Sequence, residues 1–181
     1  MYASFELPPQ KHDVTVSITK KSDCSYLIDK YPEIYSLEGA QFDVYLESTA
    51  TTSKLDTLTT DKYGKASKTF KDLDGQYTTL YLRETKAPKG HELRTDIIPV
   101  TISGDNAVIT VEDKSNPVSI SIKKVDDASN PVIGAKLQLT NKNTTTVIAS
   151  WTSDGTEKKF TVSPGDYQVD ELEVPDGYYP A

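Results

Sequence analysis

Twice in this chain, at one spacing from a proline and a glycine, a glutamate stands on the apolar face of an alternating run. The first case is Leu80, Leu82, Glu84, Pro88 and Gly90 in LYLRETKAPKGH; the second is Tyr167, Val169, Glu171, Pro175 and Gly177 in YQVDELEVPDGY. Successive residues of a strand face opposite sides, so Leu80, Leu82 and Glu84 point one way while Tyr81 and Arg83 point the other. If the leucines face a core, the glutamate enters it. An ionised carboxylate is costly there unless it is protonated, paired or engaged in chemistry. The plainer alternative is a strand-end glutamate that leans out to water or caps a turn. Its recurrence at the same place in a second copy weakens that alternative.

The same alternation directs other ionisable groups inward. One apolar face runs Val16, Ile18, Lys20, a second runs Ile120, Ile122, Lys124, and a third runs Ile109, Val111, Asp113. Lys20, Glu84 and Asp113 are thereby aimed at one interior. Charge pattern alone leaves three readings open: a buried lysine paired with two carboxylates, a lysine that snorkels its ammonium out of the end of the fold, or a reactive set.

The elements that must carry these residues are strands. Alternating runs begin at Val14, Phe42, Ile97, Val108, Val118 and Lys136, with no convincing helical period, and turn signals separate them at Gly64, Gly75, Gly104, Gly155 and Gly165. Many short strands at this spacing indicate an all-β chain folded as β-sandwich. The length of 181 residues, 36% hydrophobic and 26% charged, suits one large or two small domains.

A repeat decides for two. The order VSITK (Val16 to Lys20), LEGAQF (Leu37 to Phe42), a turn at Gly64 and the glutamate motif recurs as ISIKK (Ile120 to Lys124), VIGAKL (Val132 to Leu137), a turn at Gly155 and the second motif. The polar stretch EDKSNP from Glu112 to Pro117 separates the copies. The expected organisation is an N-terminal extension at 1–13, a first domain at 14–114, a linker at 115–117 and a second domain at 118–181. Lys20 to Gly39 spans 19 residues against 10 from Lys124 to Gly134, so the first copy carries an insertion, read as a surface loop from Cys24 to Tyr35. The first copy continues after its motif through strands at Ile97 and Val108; the second has no counterpart of these, so its C-terminal strands are expected to be missing. Either the chain is cut short there or a strand from another molecule completes the domain.

Composition excludes several functions. A net charge of −7 argues against nucleic acid, whose phosphates call for a basic surface. No run reaches membrane-spanning length, and Met1 opens no segment of signal-peptide type, so an exported protein would be represented here by its mature part. The single Cys24 excludes an intrachain disulfide, and His12 and His91 are too few and too scattered for a metal site. No metal and no cofactor is expected. An enzyme is not supported either, for want of a Ser/His/Asp set or a phosphate loop.

The repeated layout resembles the Cna B-type (SpaA-like) domains of Gram-positive surface adhesins and pilins. The shared features are a lysine ending the first strand, a G-A-x-F/L strand, an E-T-x-A-P-x-G motif and a last strand of V-E-D-K type. The resemblance covers nearly all of 14–181 and is strongest at Glu84 to Gly90 (ETKAPKG); the second motif has Leu172 and Val174 where the first has threonine and alanine. It implies two tandem Ig-like (prealbumin-like) β-sandwiches and an intramolecular isopeptide bond from Lys20 to Asp113, promoted by Glu84 as acid/base. In the second domain it implies an equivalent Glu171 beside a reactive Lys124 with no partner. An apolar interior would favour the neutral amine, which is the competent nucleophile. Protonated Glu84 would polarise the Asp113 carbonyl and shuttle protons. Such a self-reaction turns over once, so the resemblance implies no enzyme in the usual sense.

The role implied is a stalk or pilin-type segment on the Gram-positive cell wall, outside the cell. Its partners would be neighbouring domains of the same surface protein or pilus, with a host ligand and a strand donor for the second domain as further candidates. The alternative is a ligand-binding adhesin module that uses the 24–35 insertion; tyrosines exposed there would favour binding, and tyrosines packed on the sheet would favour a stalk. The chain shows no L-P-x-T-G sorting signal, since LPPQ at Leu7 does not match, and no pilin lysine motif after Tyr31-Pro32.

Overall fold

The computed structural model describes residues 10–179, so the Leu7 segment lies outside the described residues, as do residues 1–9 of the expected extension. The chain divides into two compact units at Ser115/Asn116. Both are built almost wholly of antiparallel and mixed β-sheet.

The first unit is a sandwich. One sheet has the order β4-β1-β7, from β4 (Lys65–Asp74), β1 (Lys11–Ser22) and β7 (Asn106–Asp113); the other has the order β3-β2-β5-β6, from β3 (Lys54–Thr59), β2 (Gln41–Tyr45), β5 (Thr79–Lys86) and β6 (Ile97–Thr101). Alternate residues of both sheets meet in one core that holds Val14, Val16 and Ile18 of β1, Phe42 and Val44 of β2, Leu80 and Leu82 of β5, and Ala107 and Val111 of β7. β1 is the central strand of its sheet, antiparallel to β4 and parallel to β7. It starts at Lys11, inside the stretch read as an extension.

The second unit repeats part of this plan. β8 (Val118–Ile122) pairs with β11 (Lys158–Val162), and β9 (Ile133–Asn141) lies between β10 (Thr146–Asp154) and β12 (Tyr167–Glu173). These strands correspond in order to β1, β4, β2, β3 and β5. Among the described residues nothing pairs with the second edge of β8, where β7 lies along β1 in the first unit.

One expectation needs correction, and four strands went unread. The insertion is not a plain surface loop: it contains a single helical turn, α1 (Tyr26–Lys30), which buries Leu27, and Tyr35 behind it is buried as well. Four strands, β3, β4, β10 and β11, carry no clean alternation in the sequence. β4 shows why: along an edge with Lys65, Lys68 and Lys71 exposed, Ala66 and Leu73 are buried in the core and Phe70 packs half-buried against it, an uneven spacing of one apolar contact every three or four residues.

Candidate functional site

Three strands from two sheets converge at one end of the first sandwich. The buried face of β1 continues without a break from Val14, Val16 and Ile18 into Lys20, that of β5 from Leu80 and Leu82 into Glu84, and that of β7 from Val111 into Asp113. The residues aimed inward by alternation are thus brought together. Lys20 Nζ donates to Glu84 Oε1 at 2.7 Å and forms an ion pair with Asp113 Oδ1, and all three side chains are 0% exposed. Lys20 and Asp113 come from neighbouring parallel strands, where Ser22 is in register with Asp113 and Lys20 with Val111. Glu84 reaches them from the facing sheet. Apart from the Lys20 ammonium, no hydrogen-bond donor is recorded at either oxygen of Asp113 among the described residues.

The surroundings are apolar and fixed. Phe42, in register with Glu84 on β2, places its ring centroid 5.0 Å from Lys20 Nζ. The backbone N–H of Lys20 donates to Gly64 O at 2.7 Å, in a turn where Asp61 Oδ1 accepts the N–H groups of Tyr63 and Lys65. Gly64 has φ +72°, and a Cβ there would lie 2.8 Å from Lys20 O, so the turn requires glycine. Glu84 Oε2 accepts the Arg94 N–H at 2.8 Å. Burial pushes the Glu84 carboxyl above its ordinary range, and the hydrogen bonds from Lys20 and the Arg94 amide only partly offset it.

The rest of the glutamate motif closes this end of the sandwich. Gly90 has φ +81°, and a Cβ on it would meet the Tyr35 ring at 2.5 Å, so the glycine admits the insertion to within contact. His91 Nδ1 donates to Lys89 O at 3.0 Å, and its Nε2 is hydrogen-bonded with the Ser22 hydroxyl at 2.8 Å. Asp23 Oδ1 accepts both the N–H and the hydroxyl of Ser115. Sequence reading did not find Arg94, Phe42, Ser22 or His91. Phe42 could have been found from the strand pairing of the two motifs; a backbone N–H leaves no trace in sequence.

In the second unit Lys124 lies beyond the end of β8, and its Nζ donates to Glu171 Oε2 at 3.2 Å, with the side chains 21% and 9% exposed. In the insertion the tyrosines divide: Tyr26 and Tyr31 are exposed, with Ile34 beside them in sequence, whereas Tyr35 is packed edge-on to His91. An amine buried between two carboxyls has two chemical outcomes open to it: a standing ion pair, or amide formation with one carboxyl and loss of water.

Comparison with known proteins follows the fold. The model of the SpaA prealbumin-like fold domain matches residues 24–117 and again 118–181. The first match starts after β1, which the folded unit nonetheless holds as the centre of its sheet. No curated protein matches. Among solved structures, the Bacillus anthracis TIE protein is similar at 21% identity and a TM-score of 0.51, over 94% of this chain and 30% of that one. A streptococcal ancillary pilin matches at 17% identity and TM-score 0.42, over 93% and 56%. The shaft pilin SpaA of Lactobacillus rhamnosus GG matches at 14% and 0.39, over 93% and 91%. This chain therefore spans about a third of the first of these proteins and about half of the second. No helix among the described residues is long and apolar enough to cross a membrane.

Proposed function

We propose a function from the premise that this chain belongs to the SpaA prealbumin-like fold family: it is a structural segment of a Gram-positive surface protein or pilus, with its first domain locked by an amide bond between Lys20 and Asp113. The carrying observation is Lys20 Nζ lying between Glu84 Oε1 and Asp113 Oδ1 with no side chain of the three exposed.

In the reaction the Lys20 amine adds to Cγ of Asp113. The nitrogen gives up one proton, Glu84 relays it to the Asp113 hydroxyl, that oxygen leaves as water, and Glu84 ends as it began. The fold supplies the proximity that an amine and a carboxyl in water lack. The bond closes a loop of 93 residues (113 − 20). By analogy with a disulfide over a loop of that size, it stabilises by about 4 to 5 kcal/mol through the unfolded state. In the second domain Lys124 and Glu171 form the matching half of the site. A strand laid along β8, as β7 lies along β1, would supply the third group, from the same chain or another molecule. Neighbouring domains of the same protein would be the chain's partners.

Intact-mass spectrometry tests it. The wild-type chain should be lighter than its sequence by one water, and Lys20→Ala or Glu84→Ala should restore the full mass; a wild-type chain of full mass would sink the crosslink. The exposed Tyr26 and Tyr31 favour a second reading, a ligand-binding module. Beads coated with the protein should then adhere to host matrix, and Tyr26→Ser/Tyr31→Ser should abolish adhesion.

A further inference from the structure

Glu84 has two oxygens, and the fold treats them differently. Oε1 meets Lys20 Nζ at 2.7 Å, while Oε2 accepts the backbone N–H of Arg94 at 2.8 Å. Arg94 lies in the irregular connection between β5 and β6, which is anchored at His91 by a bridge to Ser115. Its guanidinium adds a brace. Nε and Nη2 donate to the two carboxylate oxygens of Asp96 at 2.7 and 2.9 Å, and Nη1 donates to Glu112 O on β7 at 3.3 Å. Two residues earlier, the Glu92 N–H donates to Lys114 O at 2.9 Å. The segment is therefore strapped to the strand that carries Asp113, and it walls one side of the cleft formed by residues 92–96 and 112–114.

We propose that Arg94 is a positioning residue for amide formation: its backbone N–H pins Oε2 of Glu84, leaving Oε1 as the single oxygen that exchanges protons with the reacting nitrogen, and its guanidinium holds that N–H in place. The proposal rests on the crosslink reading above. A carboxyl free to rotate would present either oxygen and lose part of its alignment with Nζ, and relay efficiency depends on that alignment. The N–H also favours the charged form of the carboxyl, which burial disfavours.

The test follows loss of water by intact mass after unreacted full-length chain, held unfolded in guanidinium, is diluted into buffers of different pH. Arg94→Pro removes the N–H; Arg94→Ala keeps it and removes only the brace. Arg94→Pro is expected to slow the reaction on the order of 10- to 100-fold and to move the limb of the pH–rate profile that reports Glu84 to higher pH. Arg94→Ala is expected to slow it less and to move that limb less, since it keeps the N–H and removes only the charge of the guanidinium, which acts on Glu84 from a distance. Should Arg94→Pro not fold, an amide-to-ester exchange at residue 94 removes the same hydrogen with the side chain kept, and the same two effects are expected. A reacting wild type with Arg94→Pro (or the ester) at wild-type rate, or slowed with no movement of the limb, overturns the positioning role alone. A wild type that never loses water overturns the crosslink and the proposal with it.

Discussion

Lys20 occupies a position where alternation calls for valine or isoleucine. An apolar side chain there would contribute about 1.5 to 3 kcal/mol on burial, whereas an isolated buried charge costs several. The position is therefore expensive unless the amine is paired or consumed. Lys20→Met shows what it neutralises. Without the lysine, Glu84 and Asp113 remain buried together, and one of the two influences that favour ionised Glu84 is gone. Glu84 has a folded pKa above its unfolded value, so its contribution to stability is complete below the ordinary carboxyl range of about 4.3 and is lost as pH rises through the raised value. The melting temperature of Lys20→Met, followed from pH 4 to pH 7, should fall with rising pH. Adding Glu84→Gln should flatten most of that fall; a Lys20→Met curve already flat would contradict the raised carboxyl.

At the scale of elements, the site depends on register. β1 and β7 are parallel neighbours, so an amine near the end of one strand meets a carboxyl two residues further along the other. The Asp61 turn holds β1 in place through the bond from Lys20 N–H to Gly64 O. Gly64→Ala would set a Cβ against Lys20 O at a positive φ, and about 1 to 3 kcal/mol of destabilisation is expected in denaturant unfolding of the first domain. Crosslink formation should slow with it, because the clash falls on the residue that reacts. Asp113→Ala, which leaves no acyl group, should lower the melting temperature of the first domain by about 20 °C, given the loop closed and the entropy of a domain of about 100 residues. A drop of only a degree or two would mean that the two strands are not joined.

For the whole molecule the parallel pairing sets the path of force. The chain enters the first unit at the start of β1 and leaves at the end of β7. With the proposed Lys20–Asp113 bond in place, tension would run along β1, cross at that bond and depart, and residues 21–112 would be bypassed. Under single-molecule pulling, wild type should give no extension from those residues, while Glu84→Ala should release about 300 Å as they unfold. The second unit has a smaller share of buried apolar side chains, chiefly Val132, Ala135, Leu137, Leu139 and Val162, and among the described residues β8 is paired along one edge only. Amides of β8 are expected to exchange with solvent faster than those of β1, and the second unit to melt first in calorimetry.

What the sequence determined by itself was the part governed by short-range periodicity. The two-residue repeat of a strand sends Lys20, Glu84 and Asp113 to buried faces, and the repetition of order shows two related units. Edge strands such as β4, where lysines interrupt the pattern, stayed hidden because one apolar contact every several residues suffices for an edge. The packed turn of α1 was hidden too, since five residues are too few to show a helical period. Only the tertiary structure decided that Lys20 and Asp113 are strand neighbours while Glu84 faces them from the other sheet, because pairing across 93 residues leaves no local signal. It alone placed the Arg94 N–H on Glu84, since a backbone donor is the same in every residue but proline and is given its role by where the chain folds.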